Sequence, residues 1–180
     1  DYIHKAGDAR LRVRWGMWQP NNLGDLGKNF LFRKATKTRL ADRAGLAPGL
    51  FGNLFPGDKP GAARAIQARY DPAAFFTWGD RPPVQNLPGK AFSGAWNGTL
   101  LVPENGQYAF RVKLQGSLRL TVGGKTLINR TESKEDWTDA TTALSAGKVP
   151  ISLTYSLKEG RSIMELYWSG PNFGFKKLGG

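Results

Sequence analysis

The stretch from Phe92 to Lys125, FSGAWNGTLLVPENGQYAFRVKLQGSLRLTVGGK, limits the fold more than any other part of the chain. Its apolar and polar residues alternate in short runs broken by turn residues, the period-2 pattern of antiparallel strands with one buried face. Tyr108, Phe110, Val112 and Leu114 point one way, and Ala109, Arg111 and Lys113 the other. The next run places Leu118, Leu120 and Val122 inward and Arg119 and Thr121 outward. Gly123-Gly124 then supply the positive backbone dihedrals of a tight hairpin turn. Further on, Leu144 to Leu157 and Ser162 to Trp168 read as a hairpin around Lys158-Glu159-Gly160. In that reading Ile151, Leu153, Tyr155 and Leu157 face the core opposite Met164, Leu166 and Trp168.

Several pieces recur in a known order. They are Gly106-x-Tyr108-x-Phe110, then Arg119-Leu120-x-Val122-x-Gly124-Lys125, then Leu144-x-Ala146-Gly147 and finally Trp168-x-Gly170-Pro171. In order and spacing this series resembles the PA14 domain, a β-sandwich module of secreted and cell-envelope proteins. Gly49-Leu50-x-Gly52-x-x-Phe55 matches the family's opening, and Trp78-Gly79 with Pro82 and Pro83 its next passage, with Trp78 a core residue. The expected fold is therefore all-β, an antiparallel PA14-like β-sandwich over residues 47–180. A basic N-terminal extension over residues 1–46, with one strand and one short helix, is expected to precede it.

The residue inventory removes whole classes of chemistry. The absence of cysteine excludes disulfides, thiolate metal sites and cysteine catalysis. The one histidine, His4, stands near an end, which leaves no material for a Ser-His-Asp device or a multi-histidine metal centre. No apolar run approaches the ~18 residues of a membrane span, so no transmembrane segment is expected. The chain begins at Asp1 without a signal peptide, as a processed chain or a piece of a longer one would. Its expected location is extracytoplasmic, by the resemblance.

Net charge is +12, and residues 1–46 carry half of it, with ten Lys/Arg against four Asp/Glu. A basic surface attracts anionic partners over long range. Within this segment Leu11, Val13 and Trp15 alternate with Arg10, Arg12 and Arg14, a strand that either joins the main sheet or ends a preceding repeat. The three arginines form an anion-binding ladder or guard a sheet edge against pairing. Phe30 to Phe32 read as a short strand and Lys34 to Ala44 as the only helix. Arg33, Lys34 and Lys37 lie in a basic run that reads as a solvated face or a docking surface. Nucleic acid is not the expected partner, because neither a recognition-helix pattern nor an aromatic platform accompanies these cations.

Candidate ligand contacts are Trp18, Trp96 and Trp137, each beside polar residues that suit a turn, with Lys113 and Arg119 as outward cations. Each tryptophan is equally at home in a core. Asn129 to Thr141 reads as a polar loop whose Glu132, Glu135, Asp136 and Asp139 either bind calcium or are simply solvated. Asn97-Gly98-Thr99 and Asn129-Arg130-Thr131 are glycosylation sequons that matter only in a secreting eukaryote. The resemblance implies more: sugar-binding PA14 modules hold calcium with consecutive aspartates just before the Arg-Leu strand. Gln115-Gly116 stand there in this chain, so no metal and no cofactor is expected. The expected function is a non-catalytic recognition module that binds a glycan or a partner protein, acidic in either case, without calcium. The alternative is an assembly subunit that docks a larger complex through its basic extension.

Overall fold

The computed structural model describes residues 31–34, 46–85 and 87–179, and every regular element among them is a strand. In chain order these are β1 (Leu31–Lys34), β2 (Leu46–Pro48), β3 (Leu50–Pro56), β4 (Gln67–Asp71), β5 (Phe75–Gly79) and β6 (Phe92–Val102). β7 (Gly106–Val122), β8 (Lys125–Leu144), β9 (Gly147–Leu157), β10 (Ser162–Gly170) and β11 (Phe173–Lys177) follow. Among the described residues no helix is long and apolar enough to cross a membrane.

The architecture follows from the length of β7. Its 17 residues alternate buried and outward side chains from end to end, and Gly123-Gly124, both at positive φ, return the chain into β8 at Val122↔Lys125. β8 lies along one side of β7 for its whole length. On the other side β7 is shared: Ala109 to Gln115 pair with β10, and Ser117 to Val122 pair with β9. The sheet forks at Gly116. β10 continues outward to β5 and β11, while β9 continues to β6 and from there to β3, β4, β1 and β2. All pairings are antiparallel, and the sheet curls into two layers over one apolar core.

Aromatic contacts run through that core, both between the layers, as at Phe76 and Trp96, and within one, as at Tyr108 and Trp168. Phe76 of β5 stacks on Trp96 of β6 with ring centroids 4.5 Å apart, and Tyr108 stacks on Trp168 at 5.4 Å. Burial of side chains this size contributes about 1.5–3 kcal/mol each. The inward residues expected along β7, β9 and β10 are all buried. Trp78, expected in the core, packs partly buried at its margin, stacked on Phe76.

Two expectations are corrected. The hairpin of Leu144–Leu157 with Ser162–Trp168 does not form, because β9 and β10 pair in tandem with β7 and not with each other. Residues 158–161 carry the chain from one layer to the other. The polar loop over Asn129–Thr141 is strand, part of the 20-residue β8. Among the described residues β8 pairs only with β7 and so forms a sheet edge, and most of its residues meet water whichever way they point.

Leu31–Lys34, within the basic segment, form β1 and pair with β6 at Leu31↔Leu100. The short strand expected at Phe30 to Phe32 is thus present from Leu31, and the helix expected from Lys34 cannot begin there. The remainder of that helix, the strand with Arg10, Arg12 and Arg14, and Trp18 and Lys37 lie outside the described residues.

Candidate functional site

A groove of about 1050 Å³ opens where β7 leaves β10 and takes up β9. Its floor is Gln115 to Ser117, with one wall at Thr131 to Glu135 of β8 and the other at Ser156 to Gly160. Gly116 makes the fork sterically workable. Its φ is +106°, and a Cβ there would stand 2.5 Å from the Ser156 carbonyl oxygen. The Tyr155 hydroxyl donates to the Gln115 carbonyl at 2.7 Å, so that carbonyl is satisfied where the ladder changes partner. Burial pushes the Tyr155 phenol well above its usual range and keeps it a donor.

The β8 wall is held by charge. Glu132 and Glu135 sit at φ 52° and 57°, left-handed values uncommon for side-chain-bearing residues. Glu132 pairs with Lys158 across the groove, and Glu135 with Lys113 at 2.8 Å. Hydrogen bonds from these lysines hold both carboxyls below the usual carboxylate range, and raise the lysines in turn. Ser117, Thr131, Ser133 and Ser156 add hydroxyls to the lining. The result is a cleft in which hydrogen-bond donors and acceptors are set among the carbon stems of lysine and glutamate side chains.

The PA14 domain family model matches residues 46–176. The chain belongs to the PA14 domain family. No curated protein matches it. Solved structures that share the fold include an anti-sigma factor domain-containing protein from Clostridium clariflavum, at TM-score 0.66 and 21% identity over 73% of this chain and 45% of that one. The PA14 sugar-binding domain from an RTX adhesin aligns at TM-score 0.63 and 13% identity, over 73% of this chain and 95% of that one. The Epithelial Adhesin 9 A domain from Candida glabrata, in complex with Galβ1-3GlcNAc, aligns at 0.61 and 11%, over 81% of this chain and 93% of that one. At these identities the likeness shows the fold. This chain covers under half the length of two anti-sigma factor domain-containing proteins, 46% and 45%.

The calcium associated with sugar-binding PA14 domains does not fit this groove. Gln115 offers a carboxamide, and position 116 has no room for a side chain beside the Ser156 carbonyl. Glu132 and Glu135 of the β8 wall are turned onto lysines, and no group of three or more acids or histidines among the described residues is placed to hold a metal ion. Asp136 pairs with Arg130 and Asp139 with Arg111, so each of the four acids of that stretch faces a cation.

The proposed contact residues separate. Trp96 is corrected: it is fully buried and cannot meet a ligand. Gly52 and Gly94 make its seat, since a Cβ on either would stand 2.2 Å from the indole, and the indole N–H donates to Asp71 Oδ2 at 2.8 Å. Trp137 is 52% exposed, directly across from Lys113. Arg119 is exposed on the other half of β7, bonded to the Thr126 hydroxyl at 3.2 Å. The structure therefore joins Trp137 with Lys113 and leaves Arg119 apart. Arg33 and Lys34 are placed only as backbone of β1.

Sequence reasoning missed the groove itself. Gly116 and Gly160 are the signal that was present, since glycines mark close backbone approach. The resemblance pointed to Gln115-Gly116, but Lys158 carries no signal, because its approach to them depends on the fork.

Proposed function

We propose that this PA14 domain is a non-catalytic, extracytoplasmic recognition module that binds a glycan in the fork groove through hydrogen bonds and without calcium. The observation that carries the reading is the groove's lining. Carboxamide, hydroxyl, ammonium and carboxylate groups converge on a cleft large enough for a short saccharide, as specific recognition of a polyol requires. The sugar-binding RTX adhesin domain and the adhesin solved with Galβ1-3GlcNAc support it as relatives by fold. Asp58, Glu132, Glu135 and Glu159 balance Lys59, Lys90, Lys134 and Lys158 in the lining. An acidic sugar thus gains only from the long-range field of a chain at +12.

The test is a glycan-binding screen of the 180-residue chain against neutral and acidic saccharides, with calcium and with chelator, beside Lys158→Ala. The expected result is binding that survives chelation and weakens at least several-fold in the variant. Silence across the screen would reject the reading in favour of a docking module that engages a partner protein through its basic segment.

A further inference from the structure

The outer face of the layer built on β8, the first half of β7, β10, β5 and β11 carries side chains that the groove does not use. Cross-strand register sets them in two rows. Asp139, Arg111, Tyr167 and Lys177 form one, and Trp137, Lys113, Glu165 and Phe75 the other. The rings touch across the rows. Trp137 and Tyr167 lie 5.9 Å apart between centroids, and Tyr167 and Phe75 also 5.9 Å. Phe175, 44% exposed, extends the patch beneath the Arg111 guanidinium at 4.4 Å. Exposed aromatic patches of this kind mark interaction sites.

The charges among the rings decide what the patch can take. Arg111 pairs with Asp139 at 2.7 Å and Lys113 with Glu135 at 2.8 Å. Glu165 accepts from the Thr77 and Tyr167 hydroxyls, and the Lys177 ammonium lies over Phe75 at 4.0 Å. Arg111, Lys113 and Lys177 balance Asp139, Glu135 and Glu165, and Arg161 at the border adds one cation within reach of Lys113 and Glu135, so this face is close to neutral on a strongly basic chain. Its paired charges offer an anionic partner little. A dry protein interface would strip water from two exposed ion pairs, a desolvation that their attraction seldom repays. A sugar chain would instead put hydroxyls where that water was, while its C–H faces rest on the rings.

We propose that this outer face is a second ligand site, which takes a single uncharged polysaccharide chain laid across β8 and β10 over Trp137 and Tyr167, with Phe75, capped by Lys177, closing its far side. The ring planes specify the chain further. Trp137 and Tyr167 are inclined by 48°, and Tyr167 and Phe75 by 84°. Rings that turn in this way cannot lie flat on a crystalline surface, but they follow a twisted single strand. The site shares no side chain with the groove except the Lys113–Glu135 pair at the border. It stands or falls separately from the function proposed above.

Affinity electrophoresis of the whole chain in native gels containing soluble neutral polysaccharides tests it, with hydroxyethylcellulose, glucomannan and dextran as probes and pectate as the anionic control. We expect at least twofold retardation by a neutral β-linked probe and no sedimentation with microcrystalline cellulose. Trp137→Ala and Tyr167→Ala should each abolish the retardation with melting temperatures near wild type, Trp137→Phe should keep part of it, and Lys158→Ala in the groove should keep all of it. Retardation by no neutral probe, retardation by pectate alone, or retardation indifferent to both Trp137→Ala and Tyr167→Ala would overturn the proposal. So would loss confined to Lys158→Ala, which would return the ligand to the groove.

Discussion

The two halves of β7 are alike inside and unlike outside. Facing the core, Tyr108 to Leu114 and Leu118 to Val122 continue one alternation without a break. Facing water, the first half sets Arg111 and Lys113 among aromatic rings and carboxylates, while the second sets Arg119 and Thr121 beside Thr126, Ser152 and Thr154. The interior specifies the strand and has no preference about its function. What each half offers to a ligand comes from its cross-strand neighbours, and those change at Gly116.

The shared interior is where the two halves should break alike. Leu114→Ala and Leu120→Ala, both buried completely, should each cost about 2–5 kcal/mol in chemical denaturation. A cost below ~1 kcal/mol in one half only would show that the layers do not share a core. The junction comes next. Gly116→Ala should cost about 1–3 kcal/mol through its left-handed backbone alone, and more through contact with the Ser156 carbonyl. Glycan binding should fall with it, as the groove floor shifts.

Acid should separate the halves. Glu132, Glu135 and Asp139 have carboxyls held low in the folded protein by Lys158, Lys113 and Arg111. Groups depressed in this way stabilise the fold above their unfolded pKa of about 4 and lose that contribution as pH falls through the lower folded value. Amide shifts measured from pH 6 to pH 2 should therefore move around Lys113, Glu135 and Arg111 below about pH 4. Those around Arg119 and Thr121, which bond to the Thr126 hydroxyl, should move least. The smallest effect is expected at Thr121→Ala, within about 0.5 kcal/mol in stability and with no change in ligand binding. A loss of binding there would place a site on the second half.

This contrast also explains what the sequence revealed. The alternation of β7, β9 and β10 was legible because each strand has one wet and one dry side. β8 was not, because an edge strand leaves both faces largely in water and carries no period. The tandem pairing of β9 and β10 was hidden behind a short polar connection, Lys158 to Arg161, that suits a hairpin equally well. The length of β7, long enough for two neighbours in series, was the clue. The tryptophans divide for the same reason. Asn97-Gly98 after Trp96 looked like a turn, yet β6 runs straight through it, and the glycines at 52 and 94 that seat the indole are brought together only by pairing. Trp137 faces solvent because β8 is an edge, a fact of topology.

The central claim is recognition at the fork without a metal. Isothermal titration of the best saccharide from the screen, first in chelator and then with excess calcium, tests it most directly. The same affinity is expected in both, with weaker binding for Lys158→Ala in both. Heat of binding that appears only when calcium is added would contradict it, and would mean that Gln115-Gly116 and the lysine-bound carboxylates rearrange to hold the ion after all.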